Sequence, residues 1–205
     1  MTVDAFKSFS KKQLILLNWW TDSSPYKNRD AIICDGSVRS GKTVCMFLSF
    51  IFWAFYMFSD SSFAVCGKTI TSLRRNIITP MLPMLRSLGF TYEELVSKNM
   101  IIIKKDGREN RFYIFGGKDE GSAALIQGMT LSGVMLDETA LMPRSFCEQA
   151  IARCSVDNSR LWFNCNPENP AHWFYTEWIK KTADKNCLYL HFTMDDNPSL
   201  SEEIK

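Results

Sequence analysis

Eight residues constrain this chain more than any others: Gly36-Ser37-Val38-Arg39-Ser40-Gly41-Lys42-Thr43. They satisfy the pattern GxxxxGK followed by Ser or Thr at every fixed position. A short apolar run, Ala31 to Cys34 (AIIC), reads as a buried strand and leads straight into them, and an apolar helix leads out. Glycines let the backbone turn tightly and aim successive N–H groups inward at anionic oxygens. The helix that follows adds its positive N-terminal end. Gly36, Ser37, Val38, Arg39, Ser40 and Gly41 therefore read as a phosphate-binding loop, with Lys42 reaching the β and γ phosphates and the Thr43 hydroxyl on Mg²⁺. The pattern does not itself require the arginine in its middle.

The helix after the loop is written VCMFLSFIFWAFYMF, Val44 to Phe58, with Ser49 its one polar break. A membrane span needs about 18–20 such residues, so this run is too short. A helix apolar all round is a buried one, and a core helix is expected. The N-terminus, MTVDAFKSFS, lacks the apolar core of a signal peptide. At 205 residues, with 46% hydrophobic and 22% charged residues, the chain suits one substantial globular domain. The net charge of +2 is no electrostatic footprint for nucleic acid, and the basic pairs Arg74-Arg75, Lys104-Lys105 and Lys180-Lys181 read as solvated faces. Seven cysteines without a CxxC pair argue against a disulfide framework or a zinc site and point to a reducing cytoplasm.

Strand and helix signals alternate. Lys11 to Trp20 reads as a short helix with Ser10 as its cap. Phe63 to Cys66, Gly133 to Leu136, Leu161 to Cys165 and Cys187 to Phe192 read as buried strands. Helical periodicity covers about Ser72 to Leu88, broken or kinked by Pro80 and Pro83, and His172 to Lys181 is helical. Met100 to Lys105 and Arg111 to Phe115 flank Asp106-Gly107 as a hairpin whose connection is longer than the tightest type. The expected fold is α/β: a P-loop NTPase of ASCE/RecA-like type, its mostly parallel central sheet flanked by helices and carrying an antiparallel hairpin insertion.

A second element chooses among phosphate-loop chemistries. The strand Gly133 to Leu136 ends in Asp137-Glu138. An acid fixed at a strand end beside the loop suits a metal-holding carboxylate, Asp137. Its neighbour Glu138 can polarise a water for in-line attack on the γ-phosphate. No guanine-reading NKxD motif occurs; the nearest segment is NCNPEN, so ATP is favoured over GTP.

With these motifs in place, the chain resembles the large terminase subunit of tailed bacteriophages, of the PBSX-like group. The resemblance is carried by GSVRSGKT, by GSAALIQGMTLSGVMLDETALMP (Gly121 to Pro143), by FNCNPENPAHWF (Phe163 to Phe174) and by FTMDDNPSL (Phe192 to Leu200), in that order. It implies an N-terminal ATPase motor that uses ATP and Mg²⁺, with Lys42 and Thr43 on phosphate and metal, Asp137 the metal-holding acid and Glu138 the catalytic base. Arg39 matches an arginine this family often places inside the loop, where it stabilises γ-phosphate charge in cis or senses the nucleotide. Asn164 and Asn166 fall at the family's coupling motif; Asn166 is the preferred residue, its alternative being a turn cap before Pro167. Gln13 is a candidate adenine contact, its alternative a solvated helix position. Lys68 and Arg74 lie where related ATPases touch DNA or nucleotide.

The same resemblance implies as partners double-stranded DNA, a portal protein and a small terminase subunit, and a homo-oligomeric ring acting in the cytoplasm of the infected bacterial host, with no membrane. Residues 1–194 are expected to form the motor and 195–205 to begin a linker towards a C-terminal nuclease domain that this chain does not include. Two other readings stay open: another DNA-stimulated P-loop ATPase or helicase, and a nucleotide-gated assembly module.

Overall fold

A computed structural model describes residues 8–166 and 169–200. Its centre is an eight-stranded sheet in the order β3-β4-β5-β2-β6-β7-β1-β8. The strands are β1 (Ala31–Gly36), β2 (Ser61–Gly67), β3 (Thr91–Leu95), β4 (Met100–Lys105), β5 (Arg108–Gly116), β6 (Gly133–Leu136), β7 (Arg160–Asn164) and β8 (Cys187–Phe192). Strands β5, β2, β6, β7, β1 and β8 run parallel, and β3 and β4 close one edge antiparallel. Strand β7 lies between β1 and β6, in register with both. The phosphate-loop strand and the acidic strand are thus held one strand apart, with a third strand end between them.

Alternation along the inner strands sorts side chains to two faces. Ile32, Cys34, Phe63, Val65, Met135 and Trp162 join one apolar layer, with α1 (Lys11–Asn18), α2 (Lys42–Met57), α3 (Ile70–Leu73) and α4 (Thr79–Ser87). Ala31, Ile33, Ala64, Cys66, Val134, Leu136 and Phe163 join the other, with α5 (Ala123–Ile126), α6 (Arg144–Ala152) and α7 (Trp173–Glu177). Both faces are covered, as a parallel sheet requires.

Helix α2 is buried along most of its length, as its apolar run predicts. Phe50 sits at the middle of its packing, with its ring 5.1 to 6.1 Å from those of Trp53, Phe63, Phe112 and Trp162. Ser49, the polar break, accepts a hydrogen bond from Trp162 Nε1 at 3.2 Å and so costs little by being buried. No helix among the described residues is long and apolar enough to cross a membrane.

Several boundaries differ from the sequence reading for local reasons. The hairpin between β4 and β5 is tighter than expected: β5 starts at Arg108, leaving only Asp106 and Gly107, both at positive φ (49° and 78°), as a two-residue turn. The prolines do not break the helix after β2. A π-helical turn, Arg74–Ile78, joins α3 to α4 immediately before Pro80, and Pro83 lies inside α4. Strand β3 (TYEEL) and helix α6 were not anticipated. The first is a polar edge strand none of whose residues is buried, and edge strands carry little apolar signal. The basic pairs largely meet acids: Arg74 pairs with Glu94, Lys104 with Glu109 and Lys181 with Glu177.

Gly133 opens β6 directly under α2, and a Cβ there would stand 2.6 Å from the Trp53 ring. Gly133→Ala must push that ring out of the aromatic cluster. We expect a loss of about 1–3 kcal/mol in urea unfolding with an unchanged slope; an unaltered midpoint would contradict this packing.

Candidate functional site

The carboxyl ends of β1, β6 and β7 meet at one open cavity of about 480 Å³, lined by Gly36, Val38 to Val44, Asp137, Glu138, Asn164 and Asn166 among others. In parallel sheets ligands bind beyond the carboxyl ends of the strands, and here the topology delivers most of the predicted residues to that edge.

The loop has the backbone its sequence demands. Gly36 has φ 108°, and a Cβ on it would fall 2.0 Å from the Phe192 carbonyl oxygen of the neighbouring strand. Gly41, at φ 80°, is the N-cap of α2. Arg39 also lies in the left-handed region, at φ 63°, where a non-glycine residue is strained unless held by its surroundings. Its side chain is exposed at the cavity rim. Lys42 is buried, and its Nζ donates to the carbonyl oxygens of Gly36 and Ser37, both at 2.9 Å. Burial lowers its pKa, and the nearby Cys34, Cys165, Asp137 and Asp35 oppose that shift.

At the centre of the cavity floor, Asn164 Nδ2 donates to Asp137 Oδ1 at 2.5 Å and to Thr43 Oγ1 at 3.0 Å. One amide nitrogen thus stands between the hydroxyl and the carboxylate that the sequence marks as metal ligands. Two oxygens converging on one electropositive group is the environment a hard divalent cation takes, with phosphate oxygens and water completing its shell. No group of three or more His, Cys, Asp or Glu side chains suited to a metal occurs among the described residues. The donor set therefore fits a cation carried largely by a nucleotide's phosphates.

Burial, helped by the charge of Glu138, raises the Asp137 carboxyl to about 6, while Asn164 and Lys42 pull it down. Glu138 is exposed at the cavity mouth with φ 53°. Thr139, fully buried, donates from its hydroxyl to the carbonyls of Leu136 and Asn164 at 3.1 Å each, tying the ends of β6 and β7 together.

Two predicted residues behave differently from their sequence reading. Asn164, not Asn166, makes the contacts to Thr43 and Asp137; Asn166 is exposed on the cavity wall, and Pro167 lies outside the described residues. Gln13 is buried behind the loop and not among the cavity-lining residues: its Nε2 donates to the Ser40 carbonyl at 3.1 Å, and its Oε1 accepts the Ser10 N–H at 3.0 Å. Sequence reasoning missed Thr139, and it missed Asn76 and Ile77 of the π-helical turn, which reach the cavity wall. Wide turns of this kind recur at functional sites.

The Asp137 shift has a measurable consequence. Its folded carboxyl holds a proton more tightly than the unfolded one, so the stability this contributes at low pH is lost as pH rises through about 6. In the nucleotide- and metal-free protein, Asp137→Asn should therefore be the more stable form at pH 7.5, by about 1–3 kcal/mol. That advantage should shrink as the pH falls below 6. Thermal melts across pH 4.5–8 check it, and a constant offset would contradict it.

A family model described as terminase large subunit, T4likevirus-type, N-terminal, matches residues 33–205. The solved large terminase of a thermophilic bacteriophage is 54% identical, with a TM-score of 0.93, covering 97% of this chain and 49% of that one. The same phage protein in complex with ATP-gamma-S matches at 51% identity and a TM-score of 0.91, covering 96% and 48%. The large terminase of bacteriophage HK97 shares the fold, at 14% identity and a TM-score of 0.68, covering 96% and 45%. This chain thus spans about half the length of the thermophilic phage protein. No curated protein sequence matches it. With the motifs, the sheet order and the site geometry in agreement, the chain belongs to the family of phage large terminase subunits.

Proposed function

We propose that this chain is the ATP-hydrolysing motor domain of a phage large terminase, which drives double-stranded viral DNA into a procapsid. The observation that carries the reading is the convergence of Thr43, Asp137 and Asn164 at one point beside Lys42, with Glu138 at the cavity mouth. The thermophilic phage terminase, more than half identical, has been solved with ADP and with ATP-gamma-S.

Each residue has a task that follows from its position. The loop N–H groups and the N-terminus of α2 bind phosphate oxygens. Lys42 exchanges the carbonyls of Gly36 and Ser37 for the β and γ phosphates. Thr43 and Asp137 would hold Mg²⁺, which when bound neutralises charge on the phosphates. Glu138 takes the proton of the attacking water, and Arg39 balances charge developing on the γ-phosphate. Asn164, between the metal ligands and the end of β7, couples phosphate occupancy to the segment after that strand. Asn166 stands on the same segment.

The working state on this reading is a homo-oligomeric ring around duplex DNA, docked on a portal protein and supplied by a small terminase subunit, in the cytoplasm of the infected bacterial host. Mutants of the intact protein test it, assayed with DNA and portal-bearing procapsids. Glu138→Gln should keep ADP and ATP binding and lose phosphate release by about 100-fold or more. Lys42→Ala should lose both. Arg39→Ala should spare binding and cut turnover. Packaging unaffected by Glu138→Gln would sink the proposal, whereas strand unwinding without packaging would move it to a helicase.

A further inference from the structure

The described residues after β8 fold back onto the phosphate loop. The Phe192 carbonyl accepts the Ser37 N–H at 3.0 Å. The chain then turns through Thr193 to Asp196, where Asp196 Oδ2 accepts the Thr193 N–H at 2.8 Å and pairs with Lys12 Nζ at 2.9 Å. That turn delivers Asn197, whose Nδ2 donates to the Arg39 carbonyl at 2.7 Å while its Oδ1 accepts the Ser199 N–H at 3.1 Å. From the other side, Gln13 Nε2 donates to the next carbonyl, Ser40, at 3.1 Å. Two side-chain amides from opposite ends of the chain thus hold consecutive loop carbonyls. The Lys12–Asp196 ion pair, one residue from each amide, joins the two segments.

A loop that aims N–H groups at an anion must turn carbonyls away from it, and those carbonyls need donors. At Arg39 the demand is greatest, because a non-glycine residue at φ 63° persists only where its surroundings over-determine it. Its φ and ψ also set where the guanidinium projects at the cavity rim.

We infer that Asn197 is a positioning residue for the motor's reaction. By holding the Arg39 carbonyl outward it fixes the left-handed turn and aims the Arg39 guanidinium at the γ-phosphate. Residues 193–197 are therefore part of the phosphate site. The inference rests on the nucleotide reading above and goes beyond it in assigning a role to Asn197, which lies in the stretch 195–205 expected to be linker.

A double-mutant cycle in the intact protein tests it, with ADP binding, ATP turnover and melting temperature measured on each variant. Asn197→Ala should lower kcat about tenfold and leave the melting temperature within about 2 °C. Asn197→Asp keeps an acceptor for the Ser199 N–H but has no donor for Arg39, and should lose as much. In the Arg39→Ala background, removing Asn197 should change kcat by less than about twofold, because there is no guanidinium left to aim. Wild-type protein that neither binds ADP nor releases phosphate overturns the nucleotide reading and this inference with it. Normal wild-type turnover that is unaltered by both Asn197 variants, or lowered equally in the Arg39→Ala background, overturns this inference alone.

Discussion

Helix α2 offers water almost no polar surface, and its burial decides where the phosphate loop can lie. It packs on β5, β6 and β7 and against α1 and the π-helical turn, with Phe50, Trp53 and Trp162 interlocked beneath it. Each such side chain contributes about 1.5–3 kcal/mol by leaving water, so sliding or tilting the helix would forfeit several at once. Its N-terminus is thereby pinned to the carboxyl end of β1. Only the five residues Ser37 to Gly41 lie between them, and the close approach of Gly36, which ends β1, to Phe192 leaves that glycine little alternative.

Sheet order supplies the other half of the site. Because β7 separates β1 from β6, the side chain ending β7 reaches both neighbours, and Asn164 uses that position to bond Thr43 on one side and Asp137 on the other. The arrangement has a cost, since burial raises the Asp137 carboxyl to about 6. A cation arriving with phosphates would relieve that burden, so energy withheld from folding becomes available for binding.

Legibility in the sequence followed the range over which each constraint acts. The phosphate loop could be read because its chemistry demands particular residues at fixed spacing. Asp137 and Glu138 could be read because a short apolar run closed by two acids is the local pattern of a strand that presents carboxylates at its end. Whether Asn164 or Asn166 does the bonding could not be read, since it depends on where β7 ends: the strand stops at Asn164, one residue short of the expected Cys165. Gln13 was recognised as relevant, but its contact with Ser40 depends on how α1 packs behind the loop. Asn197 sat inside a segment that carried the family resemblance, but its contact could not be read, because its partner is 158 residues away in the chain. Edge strand β3 was missed for want of an apolar pattern, and the two-residue hairpin because charged residues at the start of β5 hid its true beginning.

On the proposed reading the loop, Thr43 and Asp137 form one site for a metal-bound nucleoside triphosphate. A crystal structure of the protein grown with ATP-gamma-S and Mg²⁺ tests it most directly. The expected result is a triphosphate in the loop, Lys42 Nζ moved from the carbonyls of Gly36 and Ser37 onto phosphate oxygens, and a metal ion that Thr43 and Asp137 would hold in place of their contacts to Asn164. A nucleotide bound elsewhere, or one in the loop with Lys42 still on its two carbonyls and Asn164 still bridging Thr43 to Asp137, would contradict it.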